Sequence, residues 1–182
     1  MKGYILIGLI VLFILILISI YNRLVALRQN CQQGLGDIDA QLRLRHDLVP
    51  NLVATVKGYA THEQATLDKV IEARNRAASA PNAANEAELT GAIKGLLALS
   101  EAYPELKANT NFQALQGELA EVEDKLAAAR RALNAAAANY NTARESFPAV
   151  LFASMLGFRS FEHAHIAEGE RAAVGAAPRV EF

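Results

Sequence analysis

The chain has 182 residues, of which 18 are basic and 19 acidic, for a net charge of −1. This length fits one domain, or one domain plus an anchor, and the near-neutral balance excludes a broad electrostatic case for nucleic acid, which needs a basic face. Apolar residues make up 52% of the chain, yet Trp is absent, aromatics are only 7%, and the single Cys31 excludes an internal disulfide framework or a cysteine-rich zinc site.

The apolar excess lies in an N-terminal run and in alanine, about a fifth of the chain. Alanine is the strongest helix former, and five Pro with eleven Gly are too few to punctuate an all-β chain. Gly3 to Tyr21 form 19 consecutive positions without a charge. As a helix they span roughly 28 Å, matching a hydrocarbon core of about 30 Å. Tyr4 and Tyr21 stand where interfacial aromatics belong. The run exceeds the ~7–15 apolar residues of a signal peptide, and Ser19-Ile20-Tyr21-Asn22 lacks an Ala-x-Ala cleavage site. A retained transmembrane anchor, residues 1–21, in contact with membrane lipid through residues 3–21, is therefore expected. Lys2 on one side and Arg23 with Arg28 on the other leave its orientation near a tie.

No polar linker follows the span, so the membrane helix is expected to continue into a helical bundle domain, residues 22–146. Apolar or small residues recur at Leu24, Leu27, Cys31, Leu35, Ile38 and Leu42, then at Val49, Leu52, Val56 and Tyr59. Steps of three and four are the helical signature. Gly34 and Gly36 weaken it by about 1 kcal/mol each. Pro50 removes a donor and either kinks this helix or restarts it, with Asp47 as a possible cap; a kinked helix running on through Leu67, Val70 and Ile71 to about Ala78 is favoured.

A second helix is predicted from Asn85 to about Ala102, with Leu89, Ile93, Leu96, Leu97 and Leu99 inward, stopped by Tyr103-Pro104. A third starts at Thr110-Asn111-Phe112-Gln113, which has the form of a capping box. Its seam of Phe112, Leu115, Leu119, Val122, Leu126, Ala129, Leu133, Ala136, Tyr140, Ala143 and Phe147 has coiled-coil spacing, and the run ends at Phe147-Pro148. The fold class is all-α: a transmembrane helix continuing into an antiparallel bundle of three to four long helices. The second helix is about half the length of the third. An apolar stripe must then be covered by the first helix or by another chain, which argues for a homo-oligomer.

Residues 147–182 form a distinct tail. Ala149 to Leu156 is short and apolar, and four of the seven phenylalanines fall between 147 and 161. It reads either as a short helix closing the bundle or as a docking patch for a partner or the lipid surface, followed by about a dozen loosely ordered residues.

Chemistry is sparse. His62-Glu63 opens like a zinc-binding H-E-x-x-H helix, but Thr66 stands where the second histidine belongs. His163 and His165, near Glu162 and Glu168, offer a remote metal-dependent reading. Glu121, Glu123 and Asp124 read as a solvated face, with Lys125 in the favourable i, i+4 position to Glu121. Cys31 falls on the core stripe as a small hydrophobe. Arg43, Arg45 and His46 lie between Asp39 and Asp47, as a salt-bridged helix face would. No catalytic, cofactor-binding or metal residue is assigned, and no cofactor is expected.

The blocks Tyr21–Arg28, Asp37–Arg43, Asp47–Val53, Val56–Glu63, Glu101–Asn109 and Phe112-x-x-Leu115-Gln116 resemble the LemA family. So do Ala129-Arg130-Arg131, Tyr140-Asn141, Phe147-Pro148 and Pro178-x-Val180-x-Phe182. The chain departs from the family's pattern at Gly34-Leu35-Gly36, in place of a tryptophan-containing turn, and at Leu133-Asn134, in place of a Tyr-Asn pair. The resemblance implies a bacterial single-pass protein of the plasma (inner) membrane, helical, without established enzymatic activity and with no catalytic residues to carry over. Members encoded near membrane proteases, and relatives that help build membrane compartments, imply two roles. One is a self-associating membrane scaffold; the other is an adaptor or regulator of another membrane protein such as a protease.

Overall fold

A computed structural model describes residues 2–161. The histidines at 163 and 165, the expected loosely ordered end and the Pro178–Phe182 block lie outside the described residues. The described chain is helical and without strands: α1 (Lys2–Lys57), α2 (Gln64–Ser79), α3 (Ala83–Leu99), α4 (Pro104–Ala108) and α5 (Thr110–Glu145), then a 3-10 turn at Ala149–Leu151. The chain divides into two compact units. Among the described residues, one takes residues 2–37 and 129–161, the other residues 38–128.

In the first unit the N-terminal part of α1 lies antiparallel to the C-terminal part of α5. Gly34 faces Leu133, and Tyr140 lies beside Cys31 and Arg28. Leu24, Cys31, Leu133, Ala137 and Tyr140 are buried. A Cβ added at Gly34 would come within 3.2 Å of the Leu133 Cβ and 3.3 Å of its Cα. Glycine here lets two helix backbones approach. The two departures from the family's pattern thus meet at one contact. Beyond α5 the chain turns back, and the end of α5 holds it. The Tyr140 hydroxyl donates to the Arg159 carbonyl at 2.8 Å. The Asn141 amide exchanges two hydrogen bonds with the Phe161 backbone, at 2.9 and 3.0 Å.

In the second unit α1 and α2 form a helical hairpin around Val53, Lys57, Leu67 and Arg74, followed by an α2–α3 hairpin. Alanines at 73, 77 and 92 are buried where bulkier side chains would hold α2 and α3 apart. The core gathers Val49, Leu52 and Val56 of α1, Leu67 and Val70 of α2, Leu89 and Leu96 of α3, Leu106 of α4, and Phe112 and Leu119 of α5.

Three expectations are corrected. The first helix does not run to Ala78. It ends at Lys57, where Gly58 begins a turn whose Tyr59 and Ala60 N–H groups both donate to the Val56 carbonyl. Pro50, by contrast, lies inside a continuous helix, as favoured, and does not restart it. The cap of α5 is Asn109 rather than Thr110: its Oδ1 accepts the Phe112 N–H at 2.9 Å, while Gln113 turns its own amide to the Lys107 carbonyl. Lastly, the α5 seam is not an open stripe. Phe112, Leu119, Val122, Leu126, Leu133 and Tyr140 are all buried within one chain, although Phe147 at its end is exposed. The 56-residue α1 supplies facing residues in both units, so the length of the second helix no longer argues for a homo-oligomer.

The glycines of α1 give a clean test. Gly36 has open space around its Cβ position. Gly36→Ala is expected to raise stability by up to about 1 kcal/mol through helix propensity. Gly34→Ala gains the same propensity but must push Leu133 away, a cost of about 1–3 kcal/mol, so it is expected to be neutral or destabilising. Thermal melts of the two variants in detergent check the ordering.

Candidate functional site

The chemistry-bearing side chains of the second unit meet in one buried cluster. Arg45 is only 1% exposed, on the inward stripe of α1 with Leu42 and Val49, although the exposed Asp39 and Arg43 are near it in sequence. Its Nη2 donates to Thr90 Oγ1 at 2.5 Å, and its Nη1 lies 3.5 Å from Glu86 Oε2. Its Nε stands 3.2 Å from Glu123 Oε1, an attraction of charges without hydrogen-bond alignment. The second Glu86 oxygen pairs with His46 Nε2 at 2.9 Å. Thr90 passes its own proton to the Glu86 carbonyl, 2.9 Å away. One guanidinium thus ties α1 to both α3 and α5.

The neighbouring Pro50 completes the arrangement. Proline has no N–H, so the carbonyl four residues earlier, that of His46, loses its helical partner. Arg74 of α2 supplies the replacement: its Nε donates to His46 O at 3.1 Å. The helix therefore passes through a proline without leaving a buried acceptor unmet. His46 is held at both ends, its ring by α3 and its carbonyl by α2.

A second polar set lies at the turns of the same unit. Tyr103 donates through its hydroxyl to Glu63 at 3.3 Å, and Asn109 donates to the Tyr59 hydroxyl at 2.8 Å. Desolvation, and secondarily the nearby Glu63 charge, raise the Tyr103 hydroxyl pKa. The residues after Val56 and around Tyr103-Pro104 thus clamp the α1–α2 turn to the start of α4 and α5.

The predicted residues distribute as follows. Arg45 and His46 form salt bridges, but with Glu86 about 40 residues away in sequence rather than with the flanking Asp39 and Asp47. Glu123, expected on a solvated face, is 46% exposed yet reaches Arg45. Glu121 pairs with Lys125 at 2.7 Å on the surface as expected, and that contact holds its carboxyl below the ordinary range. Glu63 serves Tyr103. Cys31 is fully buried, and burial pushes its thiol pKa up, which disfavours the thiolate. Glu86 and Thr90 were not singled out from the sequence; the available signal was a carboxylate at an otherwise inward position one turn before Leu89. Among the described residues no cluster of three or more His, Cys, Asp or Glu has the arrangement to hold a metal ion. The members of the cluster are held by contacts with one another, and those contacts tie three helices together.

The LemA family model matches residues 34–182. The chain belongs to the LemA family. Among curated relatives, the magnetosome protein MamQ of Magnetospirillum gryphiswaldense is 25% identical, the match covering 86% of this chain and 68% of that protein. Magnetosome proteins MamQ 1 and MamQ 2 of Paramagnetospirillum magneticum are each 26% identical, over 85% of this chain and 68% of theirs. With helix α1 carrying a stretch apolar and long enough to cross a membrane, none of it buried, this LemA-family chain is a membrane-associated helical protein.

Two substitutions measure the cluster. Glu86→Ala strands Arg45 in the interior and is expected to cost about 3–5 kcal/mol in a denaturant titration. Arg74→Met leaves the His46 carbonyl unmet, at about 1–3 kcal/mol. In a Pro50→Ala background the restored N–H takes that carbonyl, so Arg74→Met should cost distinctly less; equal costs in both backgrounds would refute the compensation.

Proposed function

We propose that this LemA-family protein is a non-enzymatic scaffold, anchored by residues 1–21 as a single span in the bacterial plasma membrane, that associates with further copies of itself. The observation that carries the reading is the contrast between its two kinds of side chain. The buried charged and polar side chains of the second unit, Arg45, His46 and Glu86, hold its helices together. Among the described residues the large exposed apolar side chains lie mostly in the anchor, from Tyr4 to Tyr21, and in the segment after α5, with Leu44, Tyr59 and Ile71 elsewhere. A molecule so built offers apolar surfaces for assembly. The apolar stretch of α1, long enough to cross a membrane, supports a role at a membrane. Since the α5 seam is covered within one chain, association between copies is assigned to the exposed anchor.

A second reading, an adaptor for another membrane protein, draws on the exposed Phe147 and Met155. Photo-cross-linking decides between them. Photoreactive residues replacing Leu9 and Ile14, activated in the native membrane and read by mass spectrometry, are expected to yield a ladder built of this chain alone. A single dominant foreign protein would replace the scaffold with the adaptor, and the absence of any protein adduct would remove self-association.

A further inference from the structure

The segment that follows α5 is built inside out for water. From Ser146 to Phe158 there are 13 residues without a charge, bounded by Glu145 and Arg159. Its buried side chains include the small Ala149 and Ala153, while Phe147 is 81% and Met155 84% exposed, with Val150, Leu151 and Leu156 exposed beside them. A turn in water would place these large groups inward.

Its neighbour in the same unit is the membrane anchor. Phe152 meets Phe13 edge-on, with ring centroids 6.0 Å apart, and Phe158 meets Tyr21 at 5.4 Å. Leu17, Ile18 and Tyr21 line one apolar groove with Phe152, Met155 and Leu156. Phe13 lies eight residues before Tyr21, about 12 Å along the helix. With Tyr21 at the edge of the hydrocarbon, Phe152 stands about 12 Å inside it, less than half of a core about 30 Å thick.

The backbone suits that depth. Non-helical backbone in lipid must satisfy its own polar groups. The N–H groups of Val150, Leu151, Phe152, Ala153, Leu156, Gly157 and Phe158 all donate to carbonyls between Ser146 and Ser154. Gly157, at φ +79°, closes the turn: its N–H goes to Ser154, and the Phe158 N–H goes to Ala153. This is the Schellman pattern, whose left-handed position favours glycine. Above it Arg28 lies over the Phe158 ring, 5.6 Å from its centre. Tyr140 and Asn141 hold the strand that leaves.

We infer that residues 147–158 form a second membrane-inserted element, a re-entrant loop that dips into the same leaflet as the C-terminal half of the anchor and is covered by lipid acyl chains. The inference rests on the reading of residues 3–21 as a membrane span. Lipid is the occupant because the exposed face of the loop continues the exposed face of the span.

The absence of native tryptophan makes the test direct. The full-length protein carrying Met155→Trp or Phe147→Trp is reconstituted in phosphatidylcholine vesicles brominated along the acyl chains. Ile10→Trp serves as the span control and Gln33→Trp, on an exposed α1 position, as the aqueous control. Insertion predicts that the indoles at 155 and 147 emit at shorter wavelength, lose emission in brominated vesicles as the Ile10→Trp indole does, and resist iodide. Quenching by iodide without an effect of bromine would place the loop in water and overturn the inference. Protection from both quenchers would mean that another copy of the protein covers the loop, which also overturns it. Failure of the loop alone leaves the Ile10→Trp indole sensitive to bromine, whereas failure of the anchor reading abolishes that too. Both loop positions are exposed, so circular dichroism matching the parent protein verifies that each variant is folded.

Discussion

A guanidinium removed from water must find its partners within the protein, and in the second unit that requirement organises three helices. Arg45 takes Glu86 and Thr90 from α3 and faces Glu123 from α5, while Glu86 holds His46 with its other oxygen. A buried ion pair contributes little net stability compared with a well-packed apolar replacement, because desolvation offsets most of the attraction. Its effect is on choice. Slide α3 by one turn along α1, and Arg45 and His46 both lose the same carboxylate at once, leaving charge in an apolar interior. The apolar contacts around it, being non-directional, tolerate such a slip far better.

Pro50 belongs to the same constraint. Its missing N–H frees the His46 carbonyl, and Arg74 takes it. The proline therefore acts as a docking point for α2 rather than as a break. The break comes at Gly58, where a turn clamped by Tyr59, Glu63, Tyr103 and Asn109 reverses the chain. Backbone accounting, not the identity of the breaker residue, decides where this helix ends.

The first unit follows a different rule. There the buried residues are largely aliphatic or small, the helices approach at Gly34, and the returning chain is fastened by Tyr140 and Asn141. Beside the anchor Phe152 and Phe158 pack on the anchor helix while Phe147, Val150, Leu151, Met155 and Leu156 stay exposed, which suits an element whose solvent is not water.

Much was legible from spacing alone. The apolar run, the existence of α3 and the α5 seam all follow from periodicity, although α3 starts two residues before the expected Asn85, at a cap made by Asn82, and ends at Leu99 rather than about Ala102. These are local properties, set within a few residues by hydrogen-bond geometry and side-chain shape. Tertiary structure decided what periodicity cannot carry. Arg45 and Asp39 share a sequence neighbourhood of charges, but only the position of α3 makes one of them interior. Whether the seam of α5 needed a second chain depended on where α1 ended. The role of Pro50 depended on Arg74, 24 residues later. Each is a contact between distant segments, and the free energy that selects it comes from partners that no local pattern names.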